Sequence, residues 1–252
     1  MIEIKELSFA YHANSKRILD RLTCDLEEGC FVAILGQNGA GKSTLLKCLN
    51  KTLRPNGGAA FIDGKCVERT PRREMAKKMA TVSQRNETPR VMVFDSVLLG
   101  RTPHVVWNVT TADKKLVEKI LCELGVASLS TRYLDELSGG ELQKATIARA
   151  LAQEPKYLLL DEPTSSLDLK NQHEILKLIQ EICRRKNISV VAVLHDLNLA
   201  RRYCDRFLFL KDSRLCSYGG LETITPATIK DVYDIDVEIV QCCGSSWIVP
   251  LL

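Results

Sequence analysis

No apolar run in this chain approaches the ~20 residues that a membrane-spanning helix needs. The longest, around Phe31–Leu35 and Val190–Leu194, fall far short. The opening stretch, MIEIKELSFAY, carries charges where a signal peptide needs an apolar core. The expectation is a soluble protein that meets a membrane only through a partner. Charge of one sign is scarce too: the net value of +4 is too mild to imply nucleic acid as the partner. The ten cysteines contain no CxxC pair of the kind that holds zinc or an iron–sulfur cluster. They are scattered singly, apart from Cys242 and Cys243, and several sit in apolar runs where a thiol behaves as a small hydrophobe. That pattern fits a reducing cytosol. There is no internal repeat and no low-complexity tract.

What is present is an ordinary globular composition, 45% hydrophobic and 26% charged over 252 residues. This length allows one large α/β domain, or a core with a smaller inserted lobe. Residues 1–35 read as β structure: Leu22, Cys24 and Leu26 alternate as in a half-buried strand, and Phe31–Leu35 form a fully buried one. Lys42–Leu49 opens a helix, Ala59–Ile62 is a strand, and Asp63–Gly64 is a turn. Arg72–Ala80 is basic and helical, its charges forming a solvated face. Ala112–Leu124 and Leu169–Lys186 read as helices, Tyr157–Leu160 and Val190–Leu194 as buried strands. Long apolar strands alternating with helices imply a parallel sheet covered by helices. The expected organisation is an α/β core from residues 1–86 and 154–252, a helical lobe inserted at 87–153, and a small αβ appendage from Leu221.

Three segments carry chemistry. Gly36-Gln37-Asn38-Gly39-Ala40-Gly41-Lys42-Ser43-Thr44 fits GxxxxGK[ST] between a buried strand and a helix. Its glycines let backbone N–H groups approach an anion, and the helix start adds its dipole. Lys42 would reach the β- and γ-phosphates of ATP, and Ser43 would hold Mg²⁺. The strand Tyr157–Leu160 ends in Asp161 and Glu162. There Asp161 can face the metal, and Glu162 can orient or deprotonate an attacking water. The alternative is a strand followed by an acidic helix cap. His195 ends another buried strand on the same rim, where an imidazole can hydrogen-bond a γ-phosphate or simply be structural. Asp196 beside it is a candidate helix cap.

Leu137-Ser138-Gly139-Gly140-Glu141-Leu142-Gln143 resembles the LSGGQ signature of ABC ATPases, with Glu141 where glutamine is commoner. Ser138 and the two glycines open a helix whose dipole can face an anion, while Ser138 and Glu141 equally match an ordinary capping box. With the other motifs in family order, the chain resembles an ABC ATPase over nearly its whole length. The resemblance implies a P-loop NTPase (RecA-like) core, an N-terminal antiparallel β subdomain and an inserted α-helical subdomain. It further implies that Tyr11 stacks on adenine, although a plain surface tyrosine is the alternative. Gln84 would be the glutamine that touches Mg²⁺ and links core to lobe. Ser165 to Asp168 would be the loop that crosses to the opposite subunit, and His195 the switch histidine. ATP would then be enclosed between the P-loop of one chain and the Ser138–Glu141 signature of a second, in a homodimer.

Val97 to His104, Leu194 to Ala200 and the segment around Thr225–Tyr233 are similar to the ATPases of iron-siderophore, haem and vitamin B12 importers. Gly100–His104 also reads as a simple helix-ending turn, and Arg101 or His104 could face a partner. The likeness implies two permease subunits, an external binding protein acting indirectly, and a place on the cytoplasmic membrane face. The alternatives are a non-transport ABC ATPase, such as an iron–sulfur assembly subunit, or the ATPase of a transporter for another substrate.

Overall fold

The computed structural model describes residues 1–12, 15–83, 89–242 and 244–251. In chain order come strands β1 (Ile2–Phe9), β2 (Leu19–Leu26) and β3 (Phe31–Leu35), helix α1 (Lys42–Leu49), then β4 (Gly57–Ile62) and β5 (Lys65–Cys66). Next are α2 (Arg72–Lys78), β6 (Met79–Val82), α3 (Val93–Leu99), α4 (Thr111–Glu123), α5 (Gly139–Leu151) and β7 (Tyr157–Asp161). The rest comprises α6 (Leu169–Lys186), β8 (Ser189–Val193), α7 (Leu197–Tyr203), β9 (Arg206–Lys211), β10 (Arg214–Gly219), α8 (Pro226–Tyr233), β11 (Val237–Cys242) and β12 (Ser245–Pro250). The chain forms two compact units, Met1–Thr70 with Val191–Leu252, and Pro71–Val190.

In the first unit, β1 pairs antiparallel with both β2 and β4, giving the order β2-β1-β4-β5. Its apolar positions turn one face inward: Ile2, Ile4 and Leu7 are each at most 1% exposed. In the same unit β3 runs parallel to β9, and β9 antiparallel to β10. Every residue of β3 is buried, as a strand covered on both faces requires. The C-terminal part holds α8 and the hairpin β11–β12. Strands β9 and β10 go beyond the elements expected from the sequence. Their connection at Asp212 and Ser213, both at positive φ, lacks the glycine that marks most such turns.

In the second unit β6 and β7 pair in parallel, Met79 opposite Tyr157 through Val82 opposite Leu160. The helix expected at Arg72–Ala80 therefore stops at Lys78. Met79, Ala80 and Val82 are at most 5% exposed and extended, because sheet pairing outweighs a helical tendency worth only tenths of a kcal/mol per residue, roughly. Helix α6 follows its sequence signals closely. Asp168 caps its start, Arg184, Arg185 and Lys186 crowd its last turn, and Ile175, Leu176, Ile179, Ile182 and Cys183 form one buried stripe. Cys24, Cys30, Cys48, Cys66, Cys122 and Cys216 are free thiols. Burial pushes Cys24 and Cys48 up to about 12, so these two pack as hydrophobes. No helix among the described residues is long and apolar enough to cross a membrane.

Candidate functional site

The first unit carries the glycine loop. It leaves β3 at Gly36 and enters α1 at Lys42, with Gly36 at φ 147° and Gly41 at φ 101°. A Cβ on Gly36 would collide with the Leu210 carbonyl, and one on Gly41 would stand 2.6 Å from the Ile18 carbonyl oxygen. Only glycine lets the loop pass so close to these backbones. Gly41 is the N-cap of α1 and no side chain caps the helix, a helix start of the kind that favours an anion. Lys42, 6% exposed, donates from Nζ to the Gly36 and Gln37 carbonyls at 2.8 and 2.9 Å. Gln37, Asn38 and Gly39 are exposed, Ala40 and Thr44 buried, and Ser43 half-buried. The Gly36 N–H donates at 2.8 Å to the hydroxyl of Tyr233 on α8. Burial holds that hydroxyl up at about 12, hence neutral.

Two further residues belong to this unit. Tyr11 is 56% exposed and meets Phe9 edge-on at 5.0 Å between ring centroids, a geometry suited to a ring with an open face. His195 is exposed directly after Leu194, whose N–H donates to the Ile34 carbonyl near the end of β3. Asp196 is a helix cap, its carboxylate accepting from the N–H groups of Asn198 and Leu199.

The second unit carries the carboxylates and the signature segment. All five residues of β7 are buried, ending at Asp161, 8% exposed. Glu162 follows at φ 52°, a left-handed conformation uncommon for a side-chain-bearing residue and concentrated at functional turns. Asp168 is the N-cap of α6, accepting from the Asn171 N–H at 2.8 Å. Ser138 caps α5 and Glu141 closes the box: its carboxylate accepts from the Ser138 N–H at 2.9 Å and hydroxyl at 2.7 Å. Those bonds from Ser138 hold the Glu141 carboxyl below its ordinary range, so it stays charged. The capping-box reading of this segment therefore holds. Ser138 and Gly139 remain exposed on the unit surface, while Gly140 is buried against the Asn171 side chain. Gln84 lies outside the described residues.

A family model described as ABC transporter matches residues 19–165, more than half of the chain. The chain belongs to the ABC transporter family. This ABC ATPase is 47% identical over 251 residues to an uncharacterized ABC transporter ATP-binding protein of Methanocaldococcus jannaschii, covering 100% of the chain and 98% of that relative. It is 33% identical over 241 residues to the petrobactin import ATP-binding protein of Bacillus subtilis, covering 95% of each. Among solved structures, one described as a metal-chelate type ABC transporter in an inward-facing conformation matches with a TM-score of 0.87. Identity there is 30%, over 100% of this chain and 97% of that one. The fold is that of ABC ATPases, a P-loop NTPase with an antiparallel β subdomain and helices, and the chain is an ATPase that powers transport.

In this ABC ATPase, Arg101 and His104 are turned inward. Arg101, 8% exposed, bonds to Asp113 at 2.8 Å and to Glu154 and the Ala152 carbonyl at 2.7 Å each. The His104 Nε2 lies 2.8 Å from the Gln153 carbonyl oxygen. Arg101 is thus turned inward and not toward a partner, and the two residues tie the end of α3 to the start of α4 and the end of α5. Tyr233 is the residue that sequence reading passes over. It stands 197 positions from its partner, beyond any local spacing rule.

Proposed function

We propose that this chain is the nucleotide-driven subunit of an importer for an iron chelate, haem, cobalamin or a related metal compound. Two copies would work beneath two permease subunits at the cytoplasmic face of a membrane, with an external binding protein delivering the cargo. The observation that carries the reading is that one chain presents two complementary half-sites: a glycine cradle over an uncapped helix start, and an exposed signature helix start at Ser138 and Gly139. Relatives named for petrobactin import and the likeness to a metal-chelate type transporter support the substrate class.

The cradle suits a triphosphate, since Gly36 and Gly41 let the loop pack against the Leu210 and Ile18 carbonyls in the backbone path an anion cradle needs. Lys42 moves from its loop carbonyls to phosphate oxygens. Tyr11 stacks on the base. The Ser43 hydroxyl and Asp161 carboxylate are hard oxygen donors suited to Mg²⁺, which takes few protein ligands beside phosphates and water. Bound there, Mg²⁺ neutralises phosphate charge. Glu162 orients the attacking water and takes its proton, and His195 hydrogen-bonds the γ-phosphate. Gln84 relays between the core, residues 1–86 and 154–252, and the helical lobe, 87–153. Asp168 and the signature residues Ser138, Gly139, Gly140 and Glu141 complete the site of the second copy, so hydrolysis waits on closure.

The test is co-purification from native membranes, followed by uptake assays with ferric siderophores, haem and cobalamin. A polytopic membrane protein should come down with the chain, and deleting the chain should abolish uptake of one compound. Recovery of a soluble partner in its place would replace the import reading with an assembly role.

A further inference from the structure

A second pocket lies in the first unit, away from the glycine loop's own residues. Its volume is about 240 Å³, and Asn198, Arg201 and Arg202 of α7 and Ser245, Ser246 and Trp247 of the C-terminal hairpin line it. The Asn198 amide ties the two walls together, accepting from the Ile248 N–H at 2.8 Å and donating to the Ile248 carbonyl at 3.2 Å.

The charge of this pocket has no internal answer. Among the described arginines, three are buried or half-buried: Arg101, Arg201 and Arg206. Arg101 pairs with Asp113 and Glu154, and Arg206 with Glu27. The Arg201 side chain makes neither a hydrogen bond nor an ion pair among the described residues, and no carboxylate lines the pocket. With no carboxylate beside it, the Arg201 guanidinium is open to pair with an anion entering the pocket. Arg202 adds a second positive charge from the next position, and two serine hydroxyls add donors. Trp247, 39% exposed on β12, offers an indole for a flat ring.

We propose that this pocket binds a small organic anion, with its phosphate or carboxylate on Arg201 and Arg202 and a flat ring against Trp247. The site is independent of the ATP cradle and bridges α7, the helix that follows His195, to the hairpin.

The chain has two tryptophans, so Trp107→Phe leaves Trp247 as its sole indole reporter. In that full-length background, phenyl phosphate, benzoate and inorganic phosphate are titrated while Trp247 emission is followed. Saturable quenching by phenyl phosphate or benzoate is expected, and whichever binds tighter identifies the head group. Arg201→Gln should weaken it at least tenfold without changing the melting temperature in the absence of probe, since Arg201 holds no partner. Lys42→Ala should leave it unchanged. Linear quenching, indifference to Arg201→Gln, or loss in Lys42→Ala would each overturn the proposal. So would inorganic phosphate binding as tightly as phenyl phosphate, because the ring would then contribute nothing. Should Arg201→Gln lower the melting temperature, calorimetric titration of Trp247→Ala decides: unweakened phenyl phosphate binding there overturns the proposal.

Discussion

The hydroxyl of Tyr233 accepts the N–H of Gly36, so the last residue of α8 holds the first peptide of the phosphate loop at 2.8 Å. The tyrosine is half-buried and stays neutral, its hydroxyl raised to about 12 by desolvation. Tyr233→Phe keeps the ring and leaves the Gly36 N–H without its acceptor. A bond of this kind contributes roughly 1 kcal/mol, or about fivefold in an equilibrium. The expected result is a higher KM for ATP with kcat little altered, as befits a residue that positions the loop. An unchanged KM in steady-state ATPase assays would remove Tyr233 from that role.

Glu162 follows the buried strand β7 directly, with a left-handed backbone at φ 52°. Glu162→Gln should bind ATP normally and turn over roughly 10²–10⁴-fold more slowly, the range for losing a positioned base. Size-exclusion chromatography with ATP should then show a trapped dimer. Hydrolysis at the parent rate would assign the base elsewhere.

Ser138 is exposed while capping α5, so a large side chain there has room in the single chain. Ser138→Arg should retain ATP binding by the monomer and block ATP-dependent dimerisation. Loss of the cap also costs about 1 kcal/mol of stability. Light scattering that finds dimers of this variant with ATP would mean that the signature does not meet a second nucleotide.

The Asp113 carboxyl is held down to about 2 by the Thr110 hydroxyl, the Thr110 N–H and Arg101. Because its folded value lies below the ordinary 3.8, its contribution to stability is full above pH ~4 and is lost as pH falls through about 2. Denaturant melts between pH 5 and 2 should show stability falling across that window. Asp113→Asn should flatten the slope; an identical slope in the variant would exclude this cluster as its source.

Much of this molecule was determined locally and could be read directly. The all-apolar strand β3 and the apolar run of β7 ahead of Asp161 need burial wherever they sit, and the glycine loop's spacing dictates an anion cradle because only those positions permit its backbone path. The Ser138–Glu141 and Asp168 caps span three residues, so their geometry is written in their spacing. What only the tertiary structure decided involves partners far apart in the chain. Arg101 turned inward because Asp113 and Glu154 came to meet it. Met79 and Ala80 left the helix because β7 offered them a ladder. Tyr233 reached Gly36, and Asn198 reached Ile248, across separations where side-chain chemistry sets no preference until packing has brought the groups together.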